Sequence, residues 1–136
     1  MVNKEQMDNL FKEAQKIAKQ AYAPYSKFHV GAALLCEDGS IVTGVNVENR
    51  SFGLTTCAER NAVTTAVSQG KLKFTALAVS TPDSQEPVSP CGACRQVLGE
   101  FLDRNTPVRF AGSGPNQVDT TMGELFPWDA LHELRQ

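Results

Sequence analysis

Two short segments, Thr56-Cys57-Ala58-Glu59-Arg60 and Ser89-Pro90-Cys91-Gly92-Ala93-Cys94, limit the folds open to this chain more than any other feature. Together they hold three cysteines and one acid, with Cys57 and Cys91 34 residues apart. Zinc takes Cys, His or carboxylate ligands in a tetrahedron, and a catalytic site leaves one position to water, so three protein ligands are the diagnostic number. Cys57, Cys91 and Cys94 supply that number, and the fold has to bring them together. Cys91 and Cys94 have a spacing that puts both sulfurs on one face of a helix.

Glu59 follows Cys57 by two residues, about 200° around a regular helix, so the two cannot share a lateral face. Glu59 can overhang the metal only if Cys57 lies at the helix tip. There it is placed as a general acid/base acting on metal-bound water, without being a ligand. Three thiolates leave a divalent cation with an excess negative charge, which weakens it as a Lewis acid. Two helix N-termini and Arg60, placed to donate hydrogen bonds to the sulfurs, offset that charge. The alternative for Arg60 is a solvated surface arginine. The alternatives for the cluster are a structural zinc, with His29 or His132 as fourth ligand, and a redox Cys-x-x-C pair, which leaves Cys57-Ala58-Glu59 unexplained.

A chain of 136 residues reads as one domain, residues 1–136, long enough to bury roughly 65–70% of its unfolded surface without a metal to hold it together. Hydrophobic residues at 41% and charged residues at 21% exclude disordered and fibrous classes. A net charge of -2 and a pI near 5.7 argue against a nucleic-acid binder and point to a small-molecule substrate. The N-terminus lacks the apolar run of a signal peptide, and no stretch of ~18 apolar residues spans a bilayer. The expectation is a soluble cytoplasmic protein without a membrane partner. Cysteines in that setting serve metal or catalytic roles more than disulfides, and Cys36 is left as a small buried hydrophobe.

Along the chain, Asn3 and Gln6 form a capping-box pattern, and Met7, Leu10, Phe11, Ala14, Ile17, Ala18 and Ala21 make one apolar stripe, which predicts a helix over 4–21 ended by Pro24. Strands follow at 30–36 and 41–45 around an Asp38-Gly39 turn. In Asn46-Val47-Glu48-Asn49-Arg50 the amide and acid point to one side if extended, although a plain polar loop fits the spacing as well. A helix over 57–69 ends at Gly70, and an apolar strand spans 74–80. A Pro/Ser-rich loop over 81–89 leads to a helix over 91–102, strands at 108–111 and 118–120, and a last short helix within 125–131. This order gives an α/β layer fold with both cysteine motifs at one edge of the sheet.

These motifs resemble the zinc-deaminase signature, a three-ligand site with a glutamate outside the ligand set. More narrowly, Ala23-Pro24-Tyr25-Ser26-Lys27-Phe28-His29-Val30-Gly31-Ala32-Ala33-Leu34, Gly44-Val45-Asn46-Val47-Glu48-Asn49, Cys57-Ala58-Glu59-Arg60 and Ser89-Pro90-Cys91-Gly92-Ala93-Cys94-Arg95-Gln96-Val97 resemble the small homotetrameric cytidine deaminases of nucleoside salvage, over nearly the whole chain. The resemblance implies a three-layer α/β/α fold with a mixed five-stranded sheet, one Zn2+ per subunit, and hydrolysis of cytidine and deoxycytidine to uridine and deoxyuridine plus ammonia. It implies that Asn46 and Glu48 hold the ribose hydroxyls, that Phe28 packs on the pyrimidine, and that Ala58 and Glu59 meet the amide edge of the base, with Glu59 carrying protons to N3 and to the leaving ammonia. It also implies a homotetramer whose pockets borrow residues, Tyr25 among them.

The chain departs from the family pattern near its C-terminus. Where relatives close a neighbouring pocket with a Phe, this sequence has Ala130, and Trp128 either stands in or only packs. A deaminase of another aminopyrimidine, such as blasticidin S, is the rival within the chemistry. A structural-zinc binding module is the rival from another class.

Overall fold

The computed structural model describes residues 1–130 and 134. Its helices and strands run in the order α1 (Lys4–Ala18), β1 (Gly31–Cys36), β2 (Ile41–Val45), α2 (Ala58–Ser68), β3 (Phe74–Ser80), α3 (Gly92–Phe101), β4 (Pro107–Ala111), β5 (Gln117–Thr121) and α4 (Met122–Leu125). The strands form a mixed five-stranded sheet in the order β2-β1-β3-β4-β5, with β3 and β4 parallel and the other neighbours antiparallel. This is the expected three-layer α/β/α arrangement, with α1 on one face and α2 and α3 on the other.

Side-chain alternation along β1 and β3 divides the interior in two. Ala33, Ala76 and Ala78 face Met7, Leu10 and Ala14 of α1. Ala32, Leu34, Leu77 and Val79 face Ala62, Val63 and Ala66 of α2 and Leu98 of α3. The small residues on the α1 side let that helix lie close, while the leucines on the other side fill a thicker layer. Leu34, Leu77 and Leu98 are fully buried, each contributing about 2 kcal/mol of transfer free energy. Gly44 of β2 sets the second approach: a Cβ there would lie 2.3 Å from the Ala62 amide nitrogen and 2.6 Å from the Ala58 carbonyl oxygen.

The capping box at Asn3 and Gln6 is present, but α1 stops at Ala18, three residues before the expected end at 21. Tyr22 pairs instead with the segment after β2, donating its amide to the Asn46 carbonyl and accepting from the Glu48 amide. That bridge competes with a further helical turn and wins before Pro24 is reached. At the other end, the last described helix, α4, precedes the expected one: Thr121 accepts from the Glu124 amide and caps it before Phe126-Pro127-Trp128. The expected helix within 125–131 lies partly outside the described residues.

Val45 at the end of β2 and Ser80 at the end of β3 both pair with Gly31 of the strand between them. The segments that lead to Cys57 and to Cys91 therefore leave the sheet at the same edge.

Candidate active site

Cys57 and Cys91 are the N-cap residues of α2 and α3, both in extended conformation. Their carbonyls accept the first helical bonds, from the Asn61 and Arg95 amides, while neither thiol is used to cap its helix. Both sulfurs are thereby free to turn outward from the helix tips. Cys94, in the first turn of α3, is fully buried beneath them. The three Sγ atoms lie within 4.8 Å of one another, and Cys57 Sγ is 3.8 Å from Cys91 Sγ. A tetrahedral zinc with bonds of about 2.3 Å separates its sulfurs by about 3.8 Å, so the donor set fits that ion.

The electrostatics favour thiolates. Each helix N-terminus carries roughly half a positive charge, and two converge on the sulfurs. Arg60 Nη2 donates to Cys57 Sγ over 3.2 Å, which places Arg60 where the sequence put it rather than in solvent. Its Nε is buried without a hydrogen-bond partner among the described residues. The hydrogen bond from Cys94, with help from Arg60, lowers the Cys57 thiol to about 5. The same bond to Cys57, reinforced by burial, pushes the Cys94 thiol up.

Glu59 occupies the second position of α2 and is 5% exposed. Because Cys57 is a cap and not a helical residue, the 200° separation of a regular helix does not apply, and both residues line one cavity of about 240 Å³. Burial first, and the nearby Cys57 charge second, raise the Glu59 carboxyl to about 7. A carboxyl that changes protonation near neutrality suits proton transfer in both directions.

The cavity also takes in Phe28, Val30, Asn46, Ala58, Val79, Thr81 and Val88. Asn46 is buried, accepting from the Val30 amide and donating to the Phe28 carbonyl, both at 2.8 Å. Glu48 turns to the preceding loop, accepting from the Tyr25 and Ser26 amides at 3.1 Å and from the Ser26 hydroxyl. Asn46 thus lines the cavity, while Glu48 is not among the residues that do.

Tyr25 is exposed and meets Phe52 edge to face, with ring centroids 6.1 Å apart. Trp128 is 89% exposed and borders a separate, larger concavity of about 950 Å³ between α3 and the C-terminal segment. Cys36 is buried at the end of β1 and takes no part in the thiol cluster. His29 bonds Asp83 and is not in that cluster either, and His132 lies outside the described residues.

Sequence reasoning passed over Thr55, Val79, Thr81, Val88 and Ser89 as lining residues, since nothing in a strand end or a Pro/Ser-rich loop marks them. It also gave no role to Arg95, whose guanidinium donates to the Pro90 carbonyl at 2.8 Å, the Leu125 carbonyl at 2.7 Å and the Ser89 hydroxyl at 3.0 Å. Arg95 holds the approach to Cys91. Its place beside Cys94 was the available signal.

Residues 4–109 match the family model of the cytidine and deoxycytidylate deaminase zinc-binding region. The chain is 50% identical over 121 residues to a cytidine deaminase of Sporosarcina psychrophila, covering 89% of this chain and 88% of that one. A crystal structure of cytidine deaminase from Burkholderia pseudomallei superposes with a TM-score of 0.84 at 41% identity, over 89% of this chain and 96% of the other. A blasticidin-S deaminase of Bacillus cereus is 37% identical over 110 residues, 75% of this chain and 76% of its own. On the matched region and on identity across most of its length, this chain belongs to the cytidine and deoxycytidylate deaminase family.

Proposed function

We propose that this protein hydrolyses cytidine and deoxycytidine to uridine and deoxyuridine, releasing ammonia, in pyrimidine salvage. The observation that carries the reading is the buried Glu59 carboxyl in the same 240 Å³ cavity as the tips of two helices that bring three thiols together. Zinc held by Cys57, Cys91 and Cys94 supplies Lewis-acid activation of the attacking water. Glu59 would take a proton from the attacking water and hand it to N3 as C4 becomes tetrahedral, then take the proton of the new C4 hydroxyl and deliver it to the amino group as the C4–N bond breaks and the C4 carbonyl forms. Arg60 offsets thiolate charge without touching the substrate.

In this reading Phe28 packs on the pyrimidine and Ala58 meets its amide edge. Asn46 keeps one amide hydrogen and one lone pair beyond its two loop bonds, enough to engage a ribose hydroxyl. Glu48, in the segment after β2, would reach the ribose from beside the Tyr25-Ser26 loop that it binds. The relative at 50% identity supports cytidine over blasticidin S, for which the relative stands at 37%.

The chain acts as one domain and assembles as a homotetramer. Tyr22, Tyr25, Val47, Phe52 and Leu54 are large exposed apolar residues carried by the segments around the cavity, and a neighbouring subunit would cover them. Trp128, also exposed, is the candidate to reach a neighbour's pocket in place of the family's Phe. No described helix is long and apolar enough to cross a membrane, and a cluster of three free thiols suits the reducing cytoplasm.

The test is the fall in cytidine absorbance with zinc-loaded protein, repeated for Glu59→Gln. Turnover by the parent, reduced roughly a thousandfold in the variant, is the expected result. A parent inactive on cytidine and deoxycytidine would overturn the assignment.

A further inference from the structure

The cavity is closed by two loops that belong to different parts of the chain. One, residues 22–30, carries Phe28 and Val30; the other, residues 81–91, carries Thr81, Val88 and Ser89. The first is fastened at its start by the Tyr22 backbone bridge to Asn46 and Glu48, and beyond it mainly by side chains: Glu48 holds the Tyr25 and Ser26 amides, Ser26 Oγ accepts from the Phe28 amide, and Asn46 holds the Phe28 carbonyl and the Val30 amide. The second is fastened on its outer side. Ser113 and Gly114 donate their amides to the Ser84 and Gln85 carbonyls at 2.7 and 3.0 Å, and Arg95 holds its end.

Each loop is thus anchored to its own neighbourhood. Among the described residues, the two hydrogen bonds that cross from one to the other both end on Asp83 Oδ2, at 2.7 Å from the His29 amide and 2.7 Å from His29 Nδ1. His29 stands between Phe28 and Val30, so the oxygen that grips it helps set where both flanking side chains sit in the cavity.

We propose that Asp83 is a positioning residue for the substrate, tying the segment that carries Phe28 and Val30 to the loop that carries Thr81 and Val88 through His29. The inference rests on the deaminase reading above and assigns Asp83 to how tightly the nucleoside is held, not to how fast its C4 reacts. Two features separate this role from a contribution to the fold. The His29 and Asp83 side chains are 36% and 40% exposed, so the hydrogen bond between them faces solvent and contributes little to global stability. The bond to the His29 backbone, in contrast, fixes the main chain beside Phe28, and it also holds the Asp83 carboxyl below its usual range, which keeps it an acceptor. Glu59 and the thiols lie at the helix tips, outside this tie.

The experiment compares zinc-loaded parent, Asp83→Ala, Asp83→Asn and His29→Ala for kcat and KM on cytidine, inhibition by uridine, and Tm. Asp83→Ala should raise KM and the uridine inhibition constant together by roughly tenfold, leave kcat within about twofold, and leave Tm nearly unchanged. Asp83→Asn, whose amide oxygen still accepts from the His29 amide, should recover most of the affinity. His29→Ala keeps the backbone donor and should raise KM only about threefold. Unchanged KM in Asp83→Ala, a loss confined to kcat, or no recovery by the Asn variant overturns the proposal while the parent's turnover upholds the deaminase reading; a parent without turnover overturns both.

Discussion

Arg60 Nη2 lies 3.2 Å from Cys57 Sγ, reaching back from the first turn of α2 to the residue that caps it. A guanidinium so placed adds a charge-assisted hydrogen bond to a thiolate, drawing electron density away from any cation it binds. The Arg60 group itself is held more firmly protonated, first by the Cys57 sulfur.

Replacing Arg60 by Gln keeps length and removes the charge. Turnover of cytidine should fall roughly tenfold, because the excess negative charge on the cluster is no longer offset, while zinc per chain measured by atomic spectroscopy stays near the parent value. Unaltered turnover would remove Arg60 from the machinery. Loss of zinc would make it a structural support of the site.

Gly44 offers a test of how the sheet places α2. Its missing Cβ leaves room for the Ala62 amide and the Ala58 carbonyl, both backbone groups that cannot rotate aside. Gly44→Ala should therefore cost about 1–3 kcal/mol in thermal or urea unfolding and lower turnover as well, since the displaced helix carries Cys57 and Glu59. Gly53→Ala, with nothing within 4 Å of the added carbon, is the matched control and should leave both unchanged. Equal behaviour of the two variants would contradict the packing described for β2 and α2.

Asp8 on α1 faces the buried Arg109 of β4, with Oδ1 at 2.6 Å, and Asp119 of β5 binds the same guanidinium at 2.8 Å. The Arg109 bond first, and Lys4 second, hold the Asp8 carboxyl at about 2, below its ordinary 3.8. A depressed folded value means that the contribution to stability is complete above 3.8 and is lost as pH falls toward 2. Urea midpoints of the parent and Asp8→Asn should differ at neutral pH, in favour of the parent, and converge near pH 2. A gap that persists there would mean that Asp8 acts by something other than its charge.

Most of the sheet was legible because its strands are short apolar runs bounded by Gly, Asp and Pro signals, as at Asp38-Gly39 and Gly70, both glycines having the positive φ their turns require. The thiol cluster was legible for a different reason: three ligands and an acid are a chemical requirement that spacing alone can meet. The end of α1 was hidden, since Ala21 continues the apolar stripe and only the distant partner of Tyr22, the segment after β2, interrupts it. Asp83 and Arg95 escaped for the same reason. Their partners, His29 and Ser89-Pro90 with Leu125, are set by three-dimensional proximity, and the residues around them carry no periodicity. Asn46 and Glu48 share a side if their segment is extended, a plain polar loop being the other reading of the spacing, and their hydrogen bonds fasten different parts of the 22–30 loop.

The shared pairing of Val45 and Ser80 with Gly31 makes β1 a ruler between the two halves of the metal site. A slip of one residue between β1 and either neighbour would carry Cys57 past Cys91 by about 3.3 Å. Zinc sites tolerate departures of only about 0.2 Å in their ligand distances. The metal site therefore demands the same strand alignment as the core, in which a one-residue slip would turn Leu34 or Leu77 from the α2 side toward α1.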